Sequence, residues 1–415
     1  MRIQRRSWVA LLTMLAVSGI VATVGYGSGQ RAHGGDTLKI GSTLPLTGKE
    51  SRAGGLYKQG YQLAIDRVNA AGGLKVGNKK LKVELDLQDD RTDQTSVVSL
   101  TRKVIFSDNV DVMLSSYSTD LVIAQAPIAE SAGIPFVSGG GAAGDIYRPA
   151  GHTNKWIFGT ISSIHKMSGL TADWIAHEQN LKKLPKGLKV ALVVENTAHG
   201  QDYREGLRAW ARKYPGRIKI VLDDQFELNA SDFTGLLQRV KASGAKALLV
   251  DAHLPDFINM QRTYLALGLK MKVLSYGARG SEASAKAALG SGTDYIISAA
   301  WWAPLKNAAN NRFIAAFKAA YGTDPEWYSA LAYDSARVLM AAVSNAGSLD
   351  RNKIRVALTK LNFTGSVLPR GTIRFLPING YQATNGFVVT QNFPNGTTSI
   401  IWPPKVATAK GAVVP

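Results

Sequence analysis

The sequence predicts an α/β protein of two doubly wound, Rossmann-like lobes. Three observations carry that expectation. Short apolar runs alternate with helical stretches along nearly the whole chain after residue 36, the pattern of parallel strands covered by helices. The rhythm breaks near residues 156–161 and then restarts, giving more strands than one twisted sheet normally holds. Nearly every apolar run is followed by a glycine-, hydroxyl- or aromatic-rich segment, as at the ligand-facing ends of such sheets.

The first strand is read at 38–46, followed by a turn with Pro45, Gly48, Gly54 and Gly55. A helix at 56–71 has Leu56, Leu63, Ala64 and Val68 at helical spacing and stops at Gly72-Gly73. Then follow a strand at 81–87, a helix at 95–106, a strand at 110–114, a helix at 121–131 and a strand at 134–137. In the second half, strands are expected at 189–194, 218–222, 247–250, 273–276 and 295–301. Helices are expected between them at 203–214, 233–242, 257–267 and 282–289. Two helical stretches at 310–320 and 327–346 follow, and short strands at 372–375, 387–390 and 399–402 close the chain.

Composition removes several function classes. The chain holds 49 Lys+Arg against 30 Asp+Glu, a net charge of +19, and no cysteine. Zero cysteine excludes disulfides, thiolate metal sites, Fe–S clusters and a cysteine nucleophile or lipid anchor. The charge is spread between apolar residues without a basic tract, so nucleic acid is not expected as a partner. Residues 1–32 carry Arg2, Arg5, Arg6 and Arg31, then a mostly apolar stretch, then small polar residues. They read as an export signal peptide, with an uncleaved anchor as the alternative. The chain is therefore expected in the periplasm.

No catalytic motif stands up. The run 139–144 fits G-x-G-x-x-G, but it falls in the fourth βα unit and Arg148-Pro149 makes a poor helix after it. Ser163-Ile164-His165-Lys166 and Ser107-Asp108-Asn109 match fragments of a serine-enzyme signature in the wrong order. Six scattered histidines show no metal spacing, and Asp86, Asp89, Asp90 and Asp93 are read as strand-end and capping groups. The chain is read as not an enzyme, with no cofactor and no metal.

The strand ends describe a binding cleft instead. One wall offers 47–55, 115–120 and 139–144, including a helix start suited to an anion. The other offers 195–200, Asp251 with His253, Tyr276 to Arg279, and Trp301-Trp302.

The residues Ile40-Gly41-Ser42-Thr43-Leu44-Pro45-Leu46-Thr47-Gly48, Gly60-Tyr61-Gln62-Leu63-Ala64-Ile65, Asn69-Ala70-Ala71-Gly72-Gly73, Asp89-Asp90 and Ala132-Gly133-Ile134-Pro135 carry a family resemblance. The chain resembles the type I periplasmic binding proteins, in the leucine/isoleucine/valine-binding branch that feeds ABC importers. The resemblance implies two lobes joined by three hinge crossovers, near Gly159, Ala303 and Gly371. Lobe 1 would comprise 36–158 plus 303–371, and lobe 2 would comprise 159–302 plus 372–405. It implies a monomer that captures a small solute and delivers it to an inner-membrane permease and ATPase complex.

By the same resemblance the ligand carboxylate falls to Ser118, Thr119, Gly140, Gly141 and Ala142. His199 and His253 stand near the family's second-lobe tyrosines. The family's acid for the α-amino group falls near Gly277, where this chain has none and Arg279 stands close by; Asp251 is a substitute acid. Ala53, Tyr117, Tyr276 and Trp302 complete the expected set, with one tryptophan of the 301–302 pair facing the core. The resemblance implies a branched-chain amino acid or related carboxylate as the expected solute. The alternatives are an amide, a urea-like or an aromatic acid ligand, or a ligand-sensing regulatory role.

Overall fold

The structure is a computed structural model and describes residues 36–414. The expected leader at 1–32 lies outside the described residues. In chain order the elements are β1 (Thr37–Leu44), α1 (Ser51–Ala70), β2 (Leu74–Val76), β3 (Lys79–Asp89), α2 (Gln94–Arg102), β4 (Val112–Leu114), α3 (Thr119–Ser131), β5 (Phe136–Ser138) and β6 (Ile157–Gly159). Then come α4 (Ile164–Asn180), β7 (Leu188–Glu195), α5 (Ala198–Lys213), β8 (Ile218–Phe226), α6 (Thr234–Ala242), β9 (Ala247–Asp251), α7 (Leu254–Ala266), β10 (Val273–Tyr276), α8 (Ala283–Leu289) and β11 (Ile297–Ala300). The last are α9 (Ala308–Tyr321), α10 (Trp327–Ala346), α11 (Arg351–Thr359), β12 (Asn362–Thr364), β13 (Thr372–Arg374), β14 (Val388–Asn392) and β15 (Thr398–Trp402).

Two main sheets form. The first has the order β2-β3-β1-β4-β5-β6, with β3, β1, β4, β5 and β6 parallel and β2 turned back on β3. The second has the order β15-β14-β11-β10-β9-β7-β8, parallel from β11 to β8 and antiparallel at β14 and β15. Side-chain alternation along the strands builds a core on each face. In the first sheet Val112, Leu114 and Val137 meet the α1/α10 side, while Met113 and Phe136 meet the α3 side. In the second, Val190, Leu192 and Leu249 meet α4 and α5, while Ala191, Val193 and Leu248 meet α6 and α7. Among the described residues no helix is long and apolar enough to cross a membrane.

The expected acidic group has structural work. Asp93 caps α2 by accepting from the Ser96 amide at 2.7 Å. The Asp89 Oδ1 accepts from the amides of Leu46, Thr47 and Arg91, and the Asp90 Oδ2 from the Thr43 hydroxyl. Two helices, α4 and α11, are not among those expected. The inward residues of α4 include Ser168, Gly169 and Thr171, which blur its apolar stripe, and Gly169 is where Trp210 packs closely. Beyond the expected crossing at Gly371, β13 pairs with β12 in a separate two-stranded sheet, the Gly159 amide at the end of β6 donates to the Tyr381 carbonyl, and the Ala383 amide donates to the Gly159 carbonyl.

Candidate functional site

The carboxyl ends of both parallel sheets face one small cavity. From the first sheet come Tyr117, Ser118 and Thr119 at the start of α3, and Gly140 and Ala142 after β5. From the second come His199 in the first turn of α5, His253 just before α7, Arg279 after β10 and Trp301 after β11. Ile161 and Trp327, at the first residue of α10, complete the wall. The space left is about 10 Å³, and one water needs roughly 10–15 Å³ in this measure. A solute can enter only if the walls part, so the geometry is that of a shut cleft.

The first wall is held by its own hydroxyls. The Ala142 amide donates to Thr119 Oγ1 at 3.1 Å, and the Gly140 amide to Ser115 Oγ at 3.3 Å. Gly140 must be glycine here, because a Cβ would stand 1.9 Å from the Ser116 carbonyl oxygen.

The second wall is cationic and backed by buried carboxylates. His199 Nδ1 lies 2.7 Å from Asp251 Oδ2, and His253 Nδ1 lies 2.7 Å from Glu195 Oε2. Burial opposes the charge on His253, but the Glu195 and Glu50 carboxylates outweigh it and push its pKa up to about 10. Asp251 and Glu195 likewise raise His199 against the effect of burial. Burial would raise Glu195, yet the two imidazoliums hold it down at about 2. Arg279 donates to Tyr117 Oη at 2.8 Å and to Glu282 Oε1 at 3.3 Å, and its guanidinium lies 5.0 Å from the Trp327 ring centre.

Glu195, His199 and Asp251 place one possible metal-ligand atom each within 4.8 Å of one another. The 2.7 Å between His199 and Asp251 is hydrogen-bond distance, tighter than the roughly 3.3 Å implied between ligands at about 2.0–2.1 Å from a tetrahedral zinc. The group fits an ion-pair network better than a metal cage.

Of the expected residues, the cavity brings together Tyr117, Ser118, Thr119, Gly140, Ala142, His199, His253 and Arg279. Asp251 stands one shell back, behind His199, and Gly277 packs beside Asp251 at a φ of +50°. Four expectations are corrected. Trp302 points into the core, where its Nε1 donates to Asn310 Oδ1 at 2.7 Å, because Trp301 takes the cleft side. Tyr276 is buried against Phe257, ring centres 4.2 Å apart. Ala53 sits in the core packing of α1, and Gly141 faces Ile146 and Val122. Trp327 was missed because it opens a helix instead of following a strand; its only sequence signal is the Trp327-Tyr328 pair, stacked at 3.7 Å.

A family model described as "Periplasmic binding protein" matches residues 37–397. The chain belongs to the periplasmic binding protein family. Among curated relatives of this binding protein, the Leu/Ile/Val-binding protein homolog 8 of Brucella abortus is 24% identical over 383 residues, which is 90% of this chain and 92% of the relative. Among solved structures, the leucine binding protein LivK of Thermotoga maritima superposes with a TM-score of 0.75 at 21% identity, covering 88% of this chain and 97% of that one. A solute binding protein of an ABC transporter from R. palustris, in complex with benzoate, gives 0.76 at 21% identity, covering 91% and 99%. At these identities the structural likeness establishes the two-lobed type I fold. The relatives and neighbours of this binding protein are solute-binding proteins, not enzymes.

Proposed function

We propose that this chain is the solute-capturing component of an ABC importer, working in the periplasm as a monomer. It closes on a small carboxylate and presents the closed form to a membrane permease with its ATPase. The observation that carries the reading is the shut cavity where the ends of both sheets converge, with a helix start on one wall and Arg279 on the other. The start of α3 directs amide N–H groups and a positive dipole end toward an anion, and Arg279 adds a fixed positive charge. Trp301, Trp327 and Tyr117 supply flat apolar surface beside them. One neighbour is named for leucine and another holds benzoate, so branched-chain amino acids and aromatic acids are the first solutes to try. We place the lobes as 36–158 with 303–383, and 159–302 with 384–405.

The test is identification by mass spectrometry of any solute that co-purifies with the protein. It is paired with a thermal screen of amino acids, amides and aromatic acids. A true solute at one hundred times its Kd stabilises the folded state by about 2.7 kcal/mol. A screen in which no acid moves the midpoint, on protein shown to be solute-free, would overturn the reading. Binding without uptake in cells that carry the matching permease genes would point to sensing instead.

A further inference from the structure

The second wall of the cavity is a pair of imidazoles, His253 buried and His199 half-buried, whose inner edges are already used. His199 and His253 spend Nδ1 on Asp251 and Glu195, each at 2.7 Å, and those carboxylates sit at the ends of β9 and β7. A ring anchored through Nδ1 turns its Nε2 away from the strand that anchors it. Both rings line the cavity, 6.4 Å apart between centres. His253 also has a carboxylate on its outer side, with Glu50 Oε1 3.8 Å from Nε2. An imidazole between two carboxylates is an imidazolium, so Nε2 carries a proton and donates. The charged groups facing the pair are Glu195, Asp251, Glu50, Asp120, Asp256 and Arg279.

We propose that His199 and His253 form a second polar subsite, across the cavity from the start of α3, that accepts an oxygen of the solute. The solute is then an acid with a second oxygen acceptor at its far end, not an acid with an aliphatic end. This inference rests on the carboxylate-capture reading and narrows it. Closing the two imidazole N–H donors over hydrocarbon offers them no hydrogen bond, with only the Glu50 carboxylate 3.8 Å from His253 Nε2, whereas an oxygen satisfies them. Sites built to hydrogen-bond a solute group discriminate strongly against the analogue that lacks it. An aliphatic side chain, as in leucine, is therefore a poor match for this wall even though its carboxylate fits the other.

The test is calorimetry on the full chain with two matched pairs of probes. Leucine and aspartate have side chains of similar branching, and benzoate and 4-hydroxybenzoate share a ring; only the second of each pair adds an oxygen beyond the shared carboxylate. The expected result is that the oxygen-bearing member of at least one pair binds about tenfold tighter or more, and that H199Q or H253Q narrows the gap. If H253Q fails to fold, the wild-type comparison and H199Q still decide. Leucine and benzoate each binding as tightly as its oxygen-bearing partner would overturn the subsite and leave carboxylate capture standing. Binding of none of the four would overturn the subsite too, and the wider acid screen would then decide the function.

Discussion

Arg279 Nη2 donates to Tyr117 Oη at 2.8 Å, tying a strand end of the second sheet to a strand end of the first. Other cross-links run beside it. Arg52 of α1 pairs with Glu282 at 3.3 Å, and the Gly144 amide donates to Asp202 of α5 at 3.1 Å. With Arg279 inside the cavity, the cleft is closed by the protein's own groups. Replacing Arg279 by Ala should release the seam and leave buried Glu282 short of a cation. The expected loss is near the lower end of about 3–5 kcal/mol, because Glu282 keeps Tyr328 and Arg52. Denaturant melts measure it, and small-angle scattering should show a larger radius for the solute-free variant. An unchanged radius with unchanged stability would mean that Arg279 does not hold the closed form.

Stability should have a plateau set by the Glu195–His253 pair. The folded-state pKa of His253 is raised from 6.5 to about 10, so its contribution is complete below about pH 6.5 and fades as pH rises through 10. That of Glu195 is lowered from 4.5 to about 2, so its contribution is complete above about pH 4.5 and fades as pH falls through 2. The two limbs report one ion pair, and both are full between about pH 4.5 and 6.5. Urea midpoints should hold between about pH 4.5 and 6.5 and fall above about pH 6.5 in the wild type, and fall less there in H253Q. Parallel profiles for the two proteins would refute the assignment.

The neighbouring tryptophans should separate binding from stability. Trp301 lines the cavity and packs against Trp327 with ring centres 4.9 Å apart and planes tilted by 41°, whereas Trp302 packs on Phe313 in the core. Trp302→Ala should cost about 3–5 kcal/mol of stability, as core aromatic truncations do. Trp301→Leu should weaken solute binding at a smaller cost in stability. Calorimetry and melts on both variants check this, and the reverse ranking would contradict the placement.

That pair also shows what the sequence disclosed. Strand alternation says that one tryptophan faces inward but not which one, since β11 ends at Ala300 and the two residues lie beyond its pleat. The two-sheet plan was legible because fully buried parallel strands leave continuous apolar runs, as at β7 and β9. The His and Arg wall was legible because it follows strand ends directly. Trp327 and Ile161 were not, because they enter from a helix start and a crossover that only tertiary packing brings to the cavity. Tyr276 and Ala53 occupy the right segments, but packing turns them into the core.

Gly60 should be intolerant of even a methyl group. It lies where α1 crosses α10, and a Cβ there would stand 2.5 Å from the Ser329 carbonyl oxygen and 2.7 Å from the Ala332 Cβ. Ala normally favours a helix over Gly by up to about 1 kcal/mol, so a gain would be expected from propensity alone. Overpacking should win here, giving a net loss of about 1–3 kcal/mol. A more stable Gly60→Ala protein would show that the two helices have room to separate.

Thr119 should carry two separable roles, because its hydroxyl and its amide do different things. The hydroxyl accepts the buried Ala142 amide at 3.1 Å and fixes the loop after β5 against the first turn of α3. The amide belongs to the helix start, where N–H groups favour an anion. Thr119→Ser keeps both and should behave as the wild type. Thr119→Val removes only the acceptor, strands the Ala142 amide and should cost about 1–3 kcal/mol. Thr119→Pro removes hydroxyl and amide together, yet proline is well accepted at the first position of a helix, so the fold should survive. Melts should therefore group Pro with Val, whereas the affinity for a carboxylate solute should fall further in Pro than in Val. Equal affinities in those two variants would show that the start of α3 does not hold the acid, and the carboxylate would then have to be assigned to Arg279.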